Sequence, residues 1–140
     1  MKQVGITFRG KYGAWLETKG YVVGDFAVHR TLHFDGSIGP TWTLTHLPTG
    51  HRLFDSFSKY KQAFSIAKEL AKLELPELHT YSDGLVIQDD TFRHWFNIAK
   101  PALDIAIQEY GKWYKWDALP NPDNGTVDGI PFASTTGDDE

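Results

Sequence analysis

At Ser58 the hydrophobic pattern of this chain changes period, and that change constrains the fold more than any other feature. Before it, apolar residues alternate with polar ones; after it they recur every three or four positions. In the first part Val4, Ile6 and Phe8 fall on one face of a strand over Met1–Phe8. Ala14–Thr18 and Tyr21–Val23 read as two short strands around a turn at Lys19-Gly20. Phe26, Val28, Arg30 and Leu32 alternate with Ala27, His29, Thr31 and His33 in a longer strand that ends at Asp35-Gly36. Trp42, Leu44 and His46 alternate with the β-favouring Thr43 and Thr45. Pro48-Thr49-Gly50 signals a turn, and Arg52-Leu53-Phe54 is the returning strand. The expectation is four to six strands over residues 2–54. Their short connections leave no length for parallel crossovers, so the sheet is antiparallel.

From Ser58, read as an N-cap, apolar residues fall at Tyr60, Ala63, Phe64, Ala67, Leu70 and Ala71, with Lys59, Lys61, Lys68 and Lys72 on the wet side. This predicts a helix over 58–73, stopped before Pro76 and packed on one face of the sheet. A connection over 76–88 has room for one short strand, Leu85–Gln88. A second helix over 90–110 opens at Asp89 or Asp90. Its spacing of Phe92, Trp95, Phe96, Ala99, Leu103, Ala106, Ile107 and Tyr110 runs straight through Pro101, so the proline predicts a kink rather than a break. Gly111 is placed to end it. The fold class is α+β, with Phe64, Leu70, Trp95 and Phe96 expected in the core.

The charge is unevenly distributed. The chain carries 14 Lys+Arg and 18 Asp+Glu, but Asp117, Asp123, Asp128, Asp138, Asp139 and Glu140 meet no basic residue after Lys115. That leaves 14 basic against 12 acidic residues in 1–116, a body of net +2. The expected organisation is one domain over 1–116 and an acidic, Pro- and Gly-rich tail over 117–140, largely flexible. The absence of cysteine excludes disulfides, thiolate catalysis and Cys-based zinc sites. The start, MKQVGITFRGKYG, has no apolar signal region, and no run approaches the ~20 apolar residues of a membrane-spanning helix. A soluble, cytoplasmic protein without a membrane partner is the expectation.

Lys112-Trp113-Tyr114-Lys115-Trp116 is the candidate binding segment. Interleaved aromatic and basic side chains can stack on rings while pairing with anions, and the same string can plug a core with Trp while its Lys heads stay wet. His29 and His33 share a strand face by spacing, and His46 and His51 flank a turn. These four imidazoles could approach one another, but tight metal-ligand spacing is missing and no metal is expected. Asp89, Asp90 and His94 cluster at a helix start, where the aspartates serve as cap and dipole partners. With no nucleophile motif, no phosphate loop and no cofactor fingerprint, the expected function is non-enzymatic binding with no catalytic residue. A host protein is the expected partner, and nucleic acid or a nucleotide is the alternative.

The run Trp42-Thr-Leu-Thr-His-Leu-Pro-Thr-Gly50, followed by Phe54 and the Ala- and Lys-rich stretch to Leu73, resembles a pattern in small uncharacterised proteins of phages and mobile elements. The likeness implies a phage accessory protein that acts on a host component. The strand–strand–helix order is also similar to the arm-type DNA-binding domains of integrases, which implies DNA contact through an Arg- and Lys-lined sheet.

Overall fold

The computed structural model describes residues 2–9, 15–33, 37–82 and 85–113. In chain order these form β1 (Val4–Arg9), β2 (Trp15–Val23), β3 (Phe26–Leu32), β4 (Ile38–His46), β5 (His51–Phe57), α1 (Tyr60–Ala71) and α2 (Asp90–Tyr110). Each strand pairs antiparallel with its neighbour in sequence, giving one five-stranded sheet ordered β1 to β5. The fold is therefore α+β, as the change of period requires.

Several boundaries differ from the sequence reading. Lys19-Gly20 is no turn: β2 runs unbroken through it, and the chain reverses at Gly24-Asp25, where Gly24 adopts φ +57°. Gly20 is instead the place where β2 lies so close to β3 that an added Cβ would sit 2.2 Å from the Val28 carbonyl oxygen. The fifth strand extends to Phe57 rather than Phe54. Helix α1 is capped at Lys59, not Ser58; the Lys59 N–H donates to Gln62 Oε1, and the Ser58 hydroxyl donates to that same oxygen. It ends at Ala71, ahead of the expected stop near Leu73. Leu85–Gln88 forms no strand, only an isolated bridge between Thr80 and Val86. Helix α2 opens as expected: the Asp89 side chain accepts from the Phe92 N–H at 3.0 Å. It passes continuously over Pro101 and closes at Gly111, whose φ of +65° suits a residue without a Cβ.

The two faces of the sheet are unequal. Cross-strand register puts Tyr21, Val28, Leu44, Phe54 and Phe57 on the face covered by the helices. There Ala63, Ile66, Ala67 and Leu70 of α1 and Trp95, Ala99 and Leu103 of α2 complete the main core. Phe64 and Phe96 flank that core half-buried, not inside it as expected, whereas Leu70 and Trp95 are fully buried. The opposite face carries Ala27, His29 and Thr31 of β3 beside Thr41, Thr43 and Thr45 of β4. Its smaller core joins Ile6 and Phe8 of β1 to Ala27, which requires β1 and β2 to curl over this side of the sheet. Gly20 permits that curl by letting β2 approach the β3 backbone.

Candidate binding site

At one end of the helix-covered face, Arg30, Trp42 and Phe57 form a row across β3, β4 and β5, because Trp42 is the register partner of both others. Arg30 interrupts the apolar alternation of its strand. Its guanidinium lies 4.6 Å over the Trp42 ring and donates to the Pro40 carbonyl at 2.7 Å. Tyr60, the first residue of α1, packs 5.6 Å from the same Trp42 ring and stacks on Tyr21 at 4.5 Å. Phe64 closes the cluster edge-on to Tyr21. Helix α2 ends above the other side of the row, with Tyr110 edge-on to Phe57 at 6.0 Å.

Of the segment singled out by sequence, Lys112 and Trp113 arrive at this corner, whereas Tyr114, Lys115 and Trp116 lie outside the described residues. The Lys112 ammonium donates to the Ser56 carbonyl at 2.7 Å and sits 5.7 Å over the Phe57 ring. Ser56 holds φ +66°, inside the bulge where β5 slips against β4, so its carbonyl can turn toward Lys112. Trp113 keeps 40% of its surface exposed. Lys59 and Lys61 stand exposed at the start of α1, whose first turn holds no acid. Among the described residues, none of Arg30, Lys59, Lys61 and Lys112 has a carboxylate within ion-pair distance. By contrast Arg52, Lys72, Arg93 and Lys100 are each paired with an acid on their own element.

Chemically the corner offers cationic donors that have no carboxylate partner among the described residues. Guanidinium and ammonium heads supply N–H groups and positive charge, and the N-terminal end of α1 adds its partial positive charge. The flat faces of Tyr21 and Trp42 are spent inside the protein, both residues being buried. Among the described residues, Trp113 is the most exposed ring at this corner. The arrangement can receive carboxylate or phosphate groups with an aromatic anchor beside them.

The histidines do not converge. His29 and His46 sit on opposite faces of the sheet, and His33 is exposed at the end of β3. His46 and His51 are direct cross-strand partners, as their flanking of the turn suggested. His29 Nδ1 faces the Arg30 carbonyl at 2.8 Å, an acceptor, so that nitrogen carries the proton and Nε2 accepts from the Thr45 hydroxyl at 2.8 Å. Burial lowers its pKa, opposed by the Arg30 carbonyl and assisted by the nearby Arg52 charge. His46 Nδ1 meets the Thr49 hydroxyl at 2.9 Å, and its ring lies between Phe26 and Trp95. Burial, with His51 beside it, lowers its pKa to about 3. Both are neutral structural groups. No group of three or more His, Asp or Glu among the described residues is placed to hold a metal ion. Asp89 is the helix cap, and Asp90 lies in the first turn of α2, as a dipole partner would, and also pairs with Arg93.

No family model, curated protein or solved structure matches this chain. No helix among the described residues is long and apolar enough to cross a membrane.

Proposed function

We propose that this protein is a non-enzymatic binding protein, a phage-encoded accessory protein that docks an acidic surface of a host protein against the aromatic and basic corner. The observation that carries the reading is Trp113, exposed beside Lys112 at a place where Arg30, Lys59 and Lys61 also lack carboxylate partners among the described residues. Tryptophan and arginine are enriched among the few residues that dominate interface energetics, and truncating such a residue costs about 2 kcal/mol or more. The test is capture from lysate of the source host by the full chain and by Trp113→Ala, with mass spectrometry of what is retained. A retained partner should bind the purified wild type and lose roughly 30-fold in affinity with Trp113→Ala. Capture that is indifferent to Trp113 and Lys112, or turnover of a small molecule in an activity screen without any captured partner, would sink the reading.

Nucleic acid or a nucleotide at the same corner is the second reading, supported by the alternation of lysine and aromatic residues from Lys112 to Trp116. It is the weaker of the two because Tyr21 and Trp42 turn their faces inward, leaving fewer rings for bases. Fluorescence anisotropy with labelled single-stranded and duplex DNA separates the readings. Binding that falls steeply with salt would support nucleic acid, since each neutralised phosphate releases counterions.

A further inference from the structure

The two edges of the sheet are built differently. The register of β5 against β4 shifts twice, Ser56 adopts a left-handed conformation, and its carbonyl is occupied by Lys112. Arg52 and Asp55 add an ion pair along the same strand. Bulges, charges and capped carbonyls are how natural sheets prevent further strands from adding. β1 has no bulge, and its one charged residue, Arg9, stands at its last position. It pairs with β2 through six consecutive residues, Val4↔Gly20 to Arg9↔Trp15, without a shift, and contains neither proline nor acid. Among the described residues nothing pairs with its outer side.

The side chains of β1 suit an added strand. Ile6 and Phe8 are buried, whereas Val4, on the same strand face, is left 48% exposed. On the other face Gly5 and Thr7 are small and exposed, with open space where a Cβ at Gly5 would stand. A row of alternating N–H and C=O groups is matched by another extended backbone and by no other common biological surface. The edge is roughly 20 Å long and about 10 Å deep, or ~200 Å² of contact face. That is far below the ~800 Å² per partner of a stable protein dimer. Its size fits a short linear segment, not a second folded copy of this chain.

We propose that the outer edge of β1 receives an extended segment of another polypeptide, about five to six residues long, as a sixth antiparallel or parallel strand. The segment places apolar side chains at alternate positions beside Val4 and Ile6, and its remaining side chains pass over Gly5 and Thr7. This surface is separate from the corner around Trp113 and stands whether or not that corner binds a protein.

The test uses the isotope-labelled full chain and a capped probe peptide, Lys-Val-Thr-Val-Thr-Val-Lys, followed by amide hydrogen exchange and chemical shifts. Alternate amides within Val4–Arg9 should exchange at least tenfold more slowly with the peptide, while those of His51–Phe57 stay unchanged. The same peptide N-methylated at its valines should do nothing, because it cannot donate to the edge. Equal protection of β5, or no protection of β1 at millimolar peptide, overturns the proposal. Protection of the outward-facing amides of β1 without peptide also overturns it, assigning the edge to another part of the chain when independent of concentration and to a second copy when it rises with concentration.

Discussion

Acid should destabilise this protein through one imidazole above all. His46 is buried at 4% exposure, and its ring contacts Phe26 and Trp95 while its Nδ1 meets the Thr49 hydroxyl. Its pKa is lowered to about 3 from an ordinary 6.5, first by burial and then by His51. Between those values the unfolded chain binds a proton that the folded chain refuses, so stability rises with pH across that window. The contribution is fully present above pH 6.5 and is lost as pH falls towards 3. The slope approaches 1.36 kcal/mol per pH unit, so moving from pH 7 to pH 4 removes about 3 kcal/mol. Burial lowers the pKa of His29 as well, which adds loss of the same sign. Urea unfolding at pH 7, 5 and 4 measures the slope in the wild type and in His46→Phe, which fills the site with a ring that cannot titrate. The variant should lose about 3 kcal/mol less than the wild type over that range. Its hydroxyl partner is not stranded, because Thr49 Oγ1 also donates to the His46 carbonyl and accepts from the His51 N–H. Parallel losses in the two proteins would refute the argument, as would a His46 ring whose NMR signals titrate near pH 6.

Other substitutions probe the fold at separate points. Gly20→Ala should cost about 3 kcal/mol or more, since its Cβ would lie 2.2 Å from a backbone carbonyl that cannot swing aside; thermal melting checks it, and an unchanged Tm would mean that β2 does not curl there. Leu70→Ala should cost roughly 2–5 kcal/mol and exceed Phe64→Ala, although phenylalanine is larger, because Leu70 is fully buried and Phe64 half-buried; chemical denaturation of both variants ranks them. Asp89→Ala should lose about 1 kcal/mol by leaving the Phe92 N–H without its cap, and Asp89→Asn should restore most of it.

The parts of the fold that were legible in the sequence are those set by local periodicity. Alternation located the strands and a spacing of three to four located both helices, because each pattern reports directly which side of an element meets the core. The Asp89 cap and the Gly111 stop were legible because their chemistry is local. What failed depended on distant neighbours. Lys19-Gly20 has turn composition, yet its glycine is needed for the approach of β3, eight to nine residues away in sequence. Ser58 has cap chemistry, but its hydroxyl reaches Gln62 while Lys59 takes the cap position. Phe64 fits the apolar face of α1, but its ring lies half-buried at the margin of the core, edge-on to Tyr21 and under Lys68.

The candidate site was half legible for the same reason. Lys112 and Trp113 stood out as a local string, whereas Arg30, Trp42 and Tyr60 are 12 to 30 residues apart in sequence and meet only through strand register and helix packing. One signal was available in advance: a charged residue in an apolar alternation, Phe26, Val28, Arg30, Leu32, must either reach solvent at the end of its element or find a partner. Arg30 does the former while resting on Trp42. The histidine grouping failed on strand parity. Phe26 opposes His46 and Ala27 opposes Thr45, so the residues two further along β3, Val28 and His29, fall on alternate faces, with His46 sharing the face of Val28. An offset of one residue between strands therefore decided that His29 and His46 would become two neutral core groups on opposite sides of a sheet.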